Sequence, residues 1–215
     1  MKFRTEIPRP EYPFQIGYEN KSIFMGSCFS DHIGNYLKNH GFPVLSNPFG
    51  ILFNPASIVN ALKMAINPDL FKDTFYSFYD ENWISFAHHG KFSNPDKLLF
   101  LENIDNQLKH TNLFLKNTNF LFITFGTSYC YLHKKNNIIV SNCHKIPACE
   151  FEKIRLDTEE IVTSFDFLFE WIKEHNPEMK VIFTVSPVRH LGDGFHENTL
   201  SKSILHLAVD KMVDN

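Results

Sequence analysis

Apolar residues along this chain alternate between short continuous runs and every third or fourth position, and the alternation divides it into strands and helices. Ile23, Phe24 and Met25 follow Ser22 as a strand, and after Gly26 and Ser27 the apolar positions Ile33, Tyr36 and Leu37 share a helical face that ends near Gly41. Asn47 to Pro55 holds two Asn-Pro steps around Phe49-Gly50, and Pro55 opens a helix through Ala56, Ile58, Val59 and Leu62. Phe75 to Tyr79 and Trp83 to Phe86, split by Asp80-Glu81-Asn82, read as a hairpin. Asn94-Pro95 starts a helix through Leu98, Leu101, Ile104 and Leu108. Phe120 to Phe125, bounded by Asn119 and Gly126, is an apolar run broken only by Thr124, as a strand buried on both faces of a parallel sheet would be. Tyr129 to Leu132 and Ile138 to Val140 flank Lys134-Lys135-Asn136-Asn137 as a second hairpin, and Asp157 with Glu160 forms a capping box for a helix through Ile161, Phe165, Leu168 and Trp171. Val181 to Val185 reads as another buried strand, and Thr199 onward as a final helix.

Strands alternating with helices predict an α/β fold, a doubly wound parallel sheet in three α/β/α layers with inserted hairpins and sites at the carboxyl edge. Three segments follow strand ends in that scheme: Ser27, Gly126-Thr127, and Ser186 to His196. At 215 residues the chain can bury one sizeable core, so a single domain spanning 1–215 is expected. With 23 Phe, the interior is expected to be Phe-rich. A formal net charge of −3 with scattered Lys and Arg leaves no footprint for nucleic acid. No apolar run reaches the length of a membrane span, and the Met1-Lys2-Phe3-Arg4-Thr5-Glu6 opening lacks a signal-peptide core. Cys28, Cys130, Cys143 and Cys149 show no CxxC pairing, which suits reduced thiols in a bacterial-type cytoplasm.

Ser27 is the first candidate for chemistry. A glycine before it permits the sharp turn that presents a hydroxyl at a strand end, over a helix N-terminus whose amides can stabilise an oxyanion. Cys28, one residue further into the helix start, is the alternative nucleophile. Arg189 and His190 directly follow a strand, where Arg189 could fix a carboxylate or phosphate. Asn142 and His144, after the second hairpin, carry polar side chains suited to substrate contact or to a turn. Eleven histidines include the pair His88-His89, but no HExxH or paired Cys/His spacing appears, so neither a metal nor another cofactor is expected. His88 and His89 are expected to line a loop edge or a pocket near Trp83.

Gly26-Ser27-Cys28-Phe29, Asn47-Pro48-Phe49-Gly50-Ile51-Leu52-Phe53-Asn54-Pro55, Ile123-Thr124-Phe125-Gly126-Thr127, Asn142-Cys143-His144-Lys145 and Ser186-Pro187-Val188-Arg189-His190 together resemble the GSCFA family. That family looks like a branch of the SGNH (GDSL-like) hydrolases. The resemblance runs from Met1-Lys2-Phe3-Arg4-Thr5 to Leu200-Ser201-Lys202. It implies a serine esterase acting on a small or carbohydrate-linked ester, with Ser27 as nucleophile and the amides of Ser27, Gly50 and Gly126 in the oxyanion hole. Ser128 stands where the family pattern would place an Asn donor, leaving Asn47, Asn54 or Asn142 to substitute. The Asp-x-x-His motif that supplies the base has one match, Asp193-Gly194-Phe195-His196, followed by Glu197 rather than Pro. The resemblance also implies a further strand and an Asp-x-x-His-Pro segment beyond the final helix. The expectation is therefore a form lacking its last strand, helix and catalytic His, with Asp193 and His196 as the alternative local dyad. The same fold without turnover, binding an acyl or glycan group or serving as an interaction module, is the other implied reading.

Overall fold

The computed structural model describes residues 11–189 and 191–214. In chain order the elements are β1 (Ser22–Gly26), α1 (Cys28–Asn39), β2 (Val44–Ser46), α2 (Pro55–Ile66), β3 (Tyr76–Tyr79), β4 (Asn82–Ser85), α3 (Lys97–Leu115), β5 (Phe120–Phe125), β6 (Tyr129–His133), β7 (Ile138–Val140), β8 (Phe151–Arg155), α4 (Thr158–His175), β9 (Lys180–Val185) and α5 (Phe195–Asp214). Strands β2-β1-β5-β9, in that order, form a parallel sheet. Strands β3 and β4 pair as an antiparallel hairpin, and β7-β6-β8 make a small antiparallel sheet. The fold is α/β, a parallel four-strand sheet flanked by helices with hairpin sheets beside it.

Side chains alternate across the central strands and so build two different faces. Ile23 and Met25 of β1 join Leu121, Ile123 and Phe125 of β5 in the main core, with residues of α2, α3, α4 and α5. Phe125 meets Phe165 of α4 edge-on and stacks on Phe183 of β9, both at 5.7 Å between ring centroids, so aromatic packing ties three elements together. On the opposite face Phe24 stacks on Phe122 at 4.3 Å. Helix α1 covers that side closely: a Cβ added to Gly34 would lie 2.6 Å from Ser46 Oγ. This two-sided cover is why β5 is apolar at every position but Thr124.

Four features depart from the sequence expectations. Strand β9 is only half-buried although it reads as apolar as β5, because it lies at the sheet margin and pairs on one side only among the described residues. Tyr36, read with Ile33 and Leu37 as one apolar face of α1, is 60% exposed and lies tilted against the His40 ring at 4.2 Å instead. Strands β2 and β8 are additional. Helix α5 begins at Phe195 rather than Thr199, so His196 lies within its first turn.

Candidate functional site

At the carboxyl end of β1, Gly26 takes φ +124°, and a Cβ there would come within 2.1 Å of the Thr124 carbonyl oxygen. Only a glycine lets β1 lie this close to β5 at that point. Ser27 then donates its backbone N–H to Thr124 O at 3.0 Å and serves as N-cap of α1. Its side chain makes no capping bond, and its hydroxyl oxygen is buried with no hydrogen-bond partner. Beneath it, Thr124 Oγ1 receives the Thr184 hydroxyl at 2.8 Å and lies 2.7 Å from Ser30 Oγ, which is also 3.0 Å from Met25 O. These contacts tie β1, β5, β9 and α1 together through Thr124, the residue whose carbonyl holds the Ser27 N–H.

The loop after β2 closes over the same edge. Asn47 donates its N–H to Phe24 O at 2.8 Å, and its side-chain Oδ1 accepts the Gly26 N–H at 2.9 Å. The other end of that buried amide, Nδ2, has no partner. Gly50 (φ +87°) passes so near His89 that a Cβ would sit 2.1 Å from the His89 Cβ. Leu52 N–H reaches Gly26 O at 2.9 Å, and Phe53 O accepts both Gly126 N–H (2.7 Å) and Thr127 N–H (3.0 Å). Ser27, Gly50 and Gly126 thus gather at one edge of the sheet. Their three amides, however, are committed to the carbonyls of Thr124, Asn47 and Phe53 respectively. Ser128 is buried, its N–H held by Ser201 Oγ at 2.8 Å and its carbonyl by the Leu156 N–H at 3.0 Å.

The structure does not assemble a Ser–His–Asp arrangement among the described residues. Asp193 lies in a short 3-10 turn, Leu191–Asp193, and pairs with Lys153 of β8. His196 is exposed at the start of α5, bonded neither to Asp193 nor to Ser27. Arg189 is exposed too, its guanidinium 5.6 Å from the Phe195 ring centroid rather than beside an acid. His190 falls outside the described residues.

A cavity of about 370 Å³ opens next to Gly126, lined by Phe53, Asn54, Thr127, Tyr129, Tyr131, Val140, Ser141, Asn142, Cys143 and Asp193. It unites Asn142 and Asp193, which lie far apart in sequence. Two of its polar groups also serve the backbone: Asn54 Oδ1 caps α2 through the Ser57 N–H, and Asn142 Oδ1 accepts the His144 N–H at 2.9 Å. Burial pushes the Cys143 thiol above its ordinary pKa, so it is a poor nucleophile. Cys28 sits half-buried at the first helical position beside Ser27.

His144 turns away from this cavity. Its Nε2 lies 2.6 Å from Ser85 O and therefore carries the proton, while burial lowers its pKa against the opposing pull of that carbonyl. His88 corrects the expectation of a loop-edge residue. It is 1% exposed, packed against the rings of Phe49, Phe71 and Phe92, with Nδ1 2.7 Å from Ser85 Oγ. Its apolar neighbours take water away from the imidazole, and with the charges of His144 and Lys91 they push its pKa down to about 3. Lys202 was invisible as a site neighbour in the sequence, being one polar residue of an amphipathic helix. Its Nζ reaches the Gly126 carbonyl at 2.5 Å, and partial burial lowers its pKa.

Among the described residues no His, Cys, Asp and Glu side chains gather as a metal-binding group, and no helix is long and apolar enough to cross a membrane. No curated protein and no solved structure matches the chain. The GSCFA family profile matches residues 21–215, a span that takes in the Gly26-Ser27 turn, the Asn47 loop and the Gly126 strand end. On that match, which covers most of its length, the chain belongs to the GSCFA family.

Proposed function

We propose that the chain is an SGNH-like serine acyl esterase in which Ser27 attacks the carbonyl of a small or carbohydrate-linked ester. The observation that carries this reading is the Ser27 hydroxyl, buried at a strand-to-helix turn and left without a hydrogen-bond partner where an N-cap serine ordinarily bonds its own helix. Leaving such a group unsatisfied costs about 1–3 kcal/mol and calls for an explanation, which a nucleophile held ready for a substrate supplies. The cavity beside Gly126 suits the substrate: Phe53, Tyr129 and Tyr131 offer apolar ring surface, and Asn54, Asn142, Thr127 and Asp193 offer polar groups for an alcohol or sugar moiety. A reducing cytoplasmic location accords with four unpaired cysteines.

In this mechanism Ser27 Oγ bonds to the acyl carbon, the ester C–O bond breaks, and the serine proton passes through a base to the leaving alcohol. Water then attacks the acyl-serine and releases the acid. Ser27 is 2% exposed, so the loop over it must open before an ester can enter. His196 is the base candidate. It would have to approach from the surface, with Asp193 exchanging Lys153 for the imidazole.

A second reading, a non-catalytic acyl- or glycan-binding or interaction module, is favoured by one observation. The Ser27, Gly50 and Gly126 amides are all bonded to carbonyls. A panel of p-nitrophenyl esters from acetate to octanoate, together with acetylated sugars, separates the two. The esterase reading predicts turnover that falls by about 10³-fold or more in Ser27→Ala. Binding of these ligands with no turnover above buffer would establish the second reading instead.

A further inference from the structure

Attack on an ester carbonyl turns its oxygen into an oxyanion, which needs N–H donors already aimed at it. The three backbone amides nearest to the requirement are taken by carbonyls. One donor beside Ser27 is not. Asn47 is 2% exposed, its Oδ1 accepts the N–H of Gly26 at 2.9 Å, and its Nδ2 has no partner. Gly26 immediately precedes Ser27 and gives its N–H to Asn47, so two residues that adjoin this one glycine, one in the chain and one by a hydrogen bond, each keep a buried polar atom without a partner, Ser27 Oγ and Asn47 Nδ2. The Gly26 bond also fixes which end of the amide is nitrogen, since a flip would set the NH₂ against the Gly26 N–H. Accepting that bond polarises the amide and strengthens Nδ2–H as a donor. The other asparagines at this edge are held differently. Asn54 caps a helix and Asn142 holds the His144 turn, and neither bonds the Ser27 turn.

We infer that the side-chain amide of Asn47 is the oxyanion donor of the Ser27 site; the inference rests on the esterase reading above. Asn47 does two things with one group: Oδ1 holds the turn that carries the nucleophile, and Nδ2 meets the charge that develops when the nucleophile attacks. A merely structural Asn47 would need only Oδ1.

Asn47→Asp keeps the acceptor for Gly26 and deletes the donor, at a backbone φ of +38° that Asp also tolerates. The expected result is kcat lower by about 10²–10³-fold with KM little changed. Wild-type kcat in a folded variant would overturn the inference while leaving the esterase reading intact. An independent measurement needs no variant at that position. A trifluoromethyl ketone adds to an active serine as a tetrahedral oxyanion, and in the wild-type protein the Asn47 side-chain NH₂ proton signal should move downfield as the adduct forms. The shift should be missing in Ser27→Ala. An adduct that leaves the Asn47 signal unmoved would refute the donor role alone. Absence of both adduct and ester turnover would refute the esterase reading, and the inference with it.

Discussion

His88 and Ser85 form a hydrogen-bonded pair inside the protein, both 1% exposed, with Ser85 Oγ also accepting the Ala87 N–H at 3.3 Å. Buried beside this hydroxyl, the imidazole stays neutral. Its pKa lies near 3 when folded against an ordinary value of 6.5. Between those values the unfolded chain binds a proton that the folded protein refuses, so acidification favours unfolding. Stability should fall as pH drops below about 6.5, by up to about 1.4 kcal/mol per pH unit for this one histidine. His144 and His133 are lowered by burial as well and act in the same direction. Denaturant melts at pH 7 and pH 5 should show this loss, and His88→Gln, which cannot titrate there, should shrink it. An unchanged pH dependence in His88→Gln would assign the effect to other groups. Nothing local distinguishes His88 from His89 in the sequence; the difference comes from Phe49, Phe71 and Phe92, which arrive from three separate segments.

Helix α4 depends on its start. Asp157 Oδ1 accepts the Glu160 N–H at 2.8 Å, and Glu160 Oε2 accepts the Asp157 N–H at 2.7 Å. Asp157→Ala should lower the unfolding free energy by about 1 kcal/mol with little effect on the carboxyl edge. A loss below about 0.3 kcal/mol would show that burial of Ile161, Phe165 and Leu168 holds the helix without its cap. This capping box was legible because all its determinants lie within four residues. So were β1, α2, the first hairpin and β5, each marked by a local run, a proline or a turn. Strand β2 has three residues, too few to show a period. Strand β8, Phe-Glu-Lys-Ile-Arg, exposes its charged positions and is organised by pairing with β6, more than fifteen residues away in sequence. Strand β9 shows the converse: an apolar run reports what lies above and below a strand, and carries no information about its lateral neighbours.

At the scale of the molecule, the parallel strands deliver their carboxyl ends to one edge, where loops distant in sequence meet. The Gly26-Ser27 turn and the Gly126 strand end could be read in advance because backbone chemistry marks both. The proximity of Asn47 to Gly26 could not, since two other asparagines had equal standing until the fold brought one of them to the nucleophile. Nor could the placement of His196, whose neighbours are fixed by where α5 begins. The proposed function requires Ser27 to be a nucleophile that opening of the edge makes reactive. Intact-mass and peptide mass spectrometry after treatment with a fluorophosphonate tests this most directly, with Ser27→Ala and Cys28→Ala alongside. The expected result is a single adduct on Ser27 that is lost in Ser27→Ala and kept in Cys28→Ala. Labelling that survives Ser27→Ala but disappears in Cys28→Ala, or no labelling of the folded protein, would contradict it.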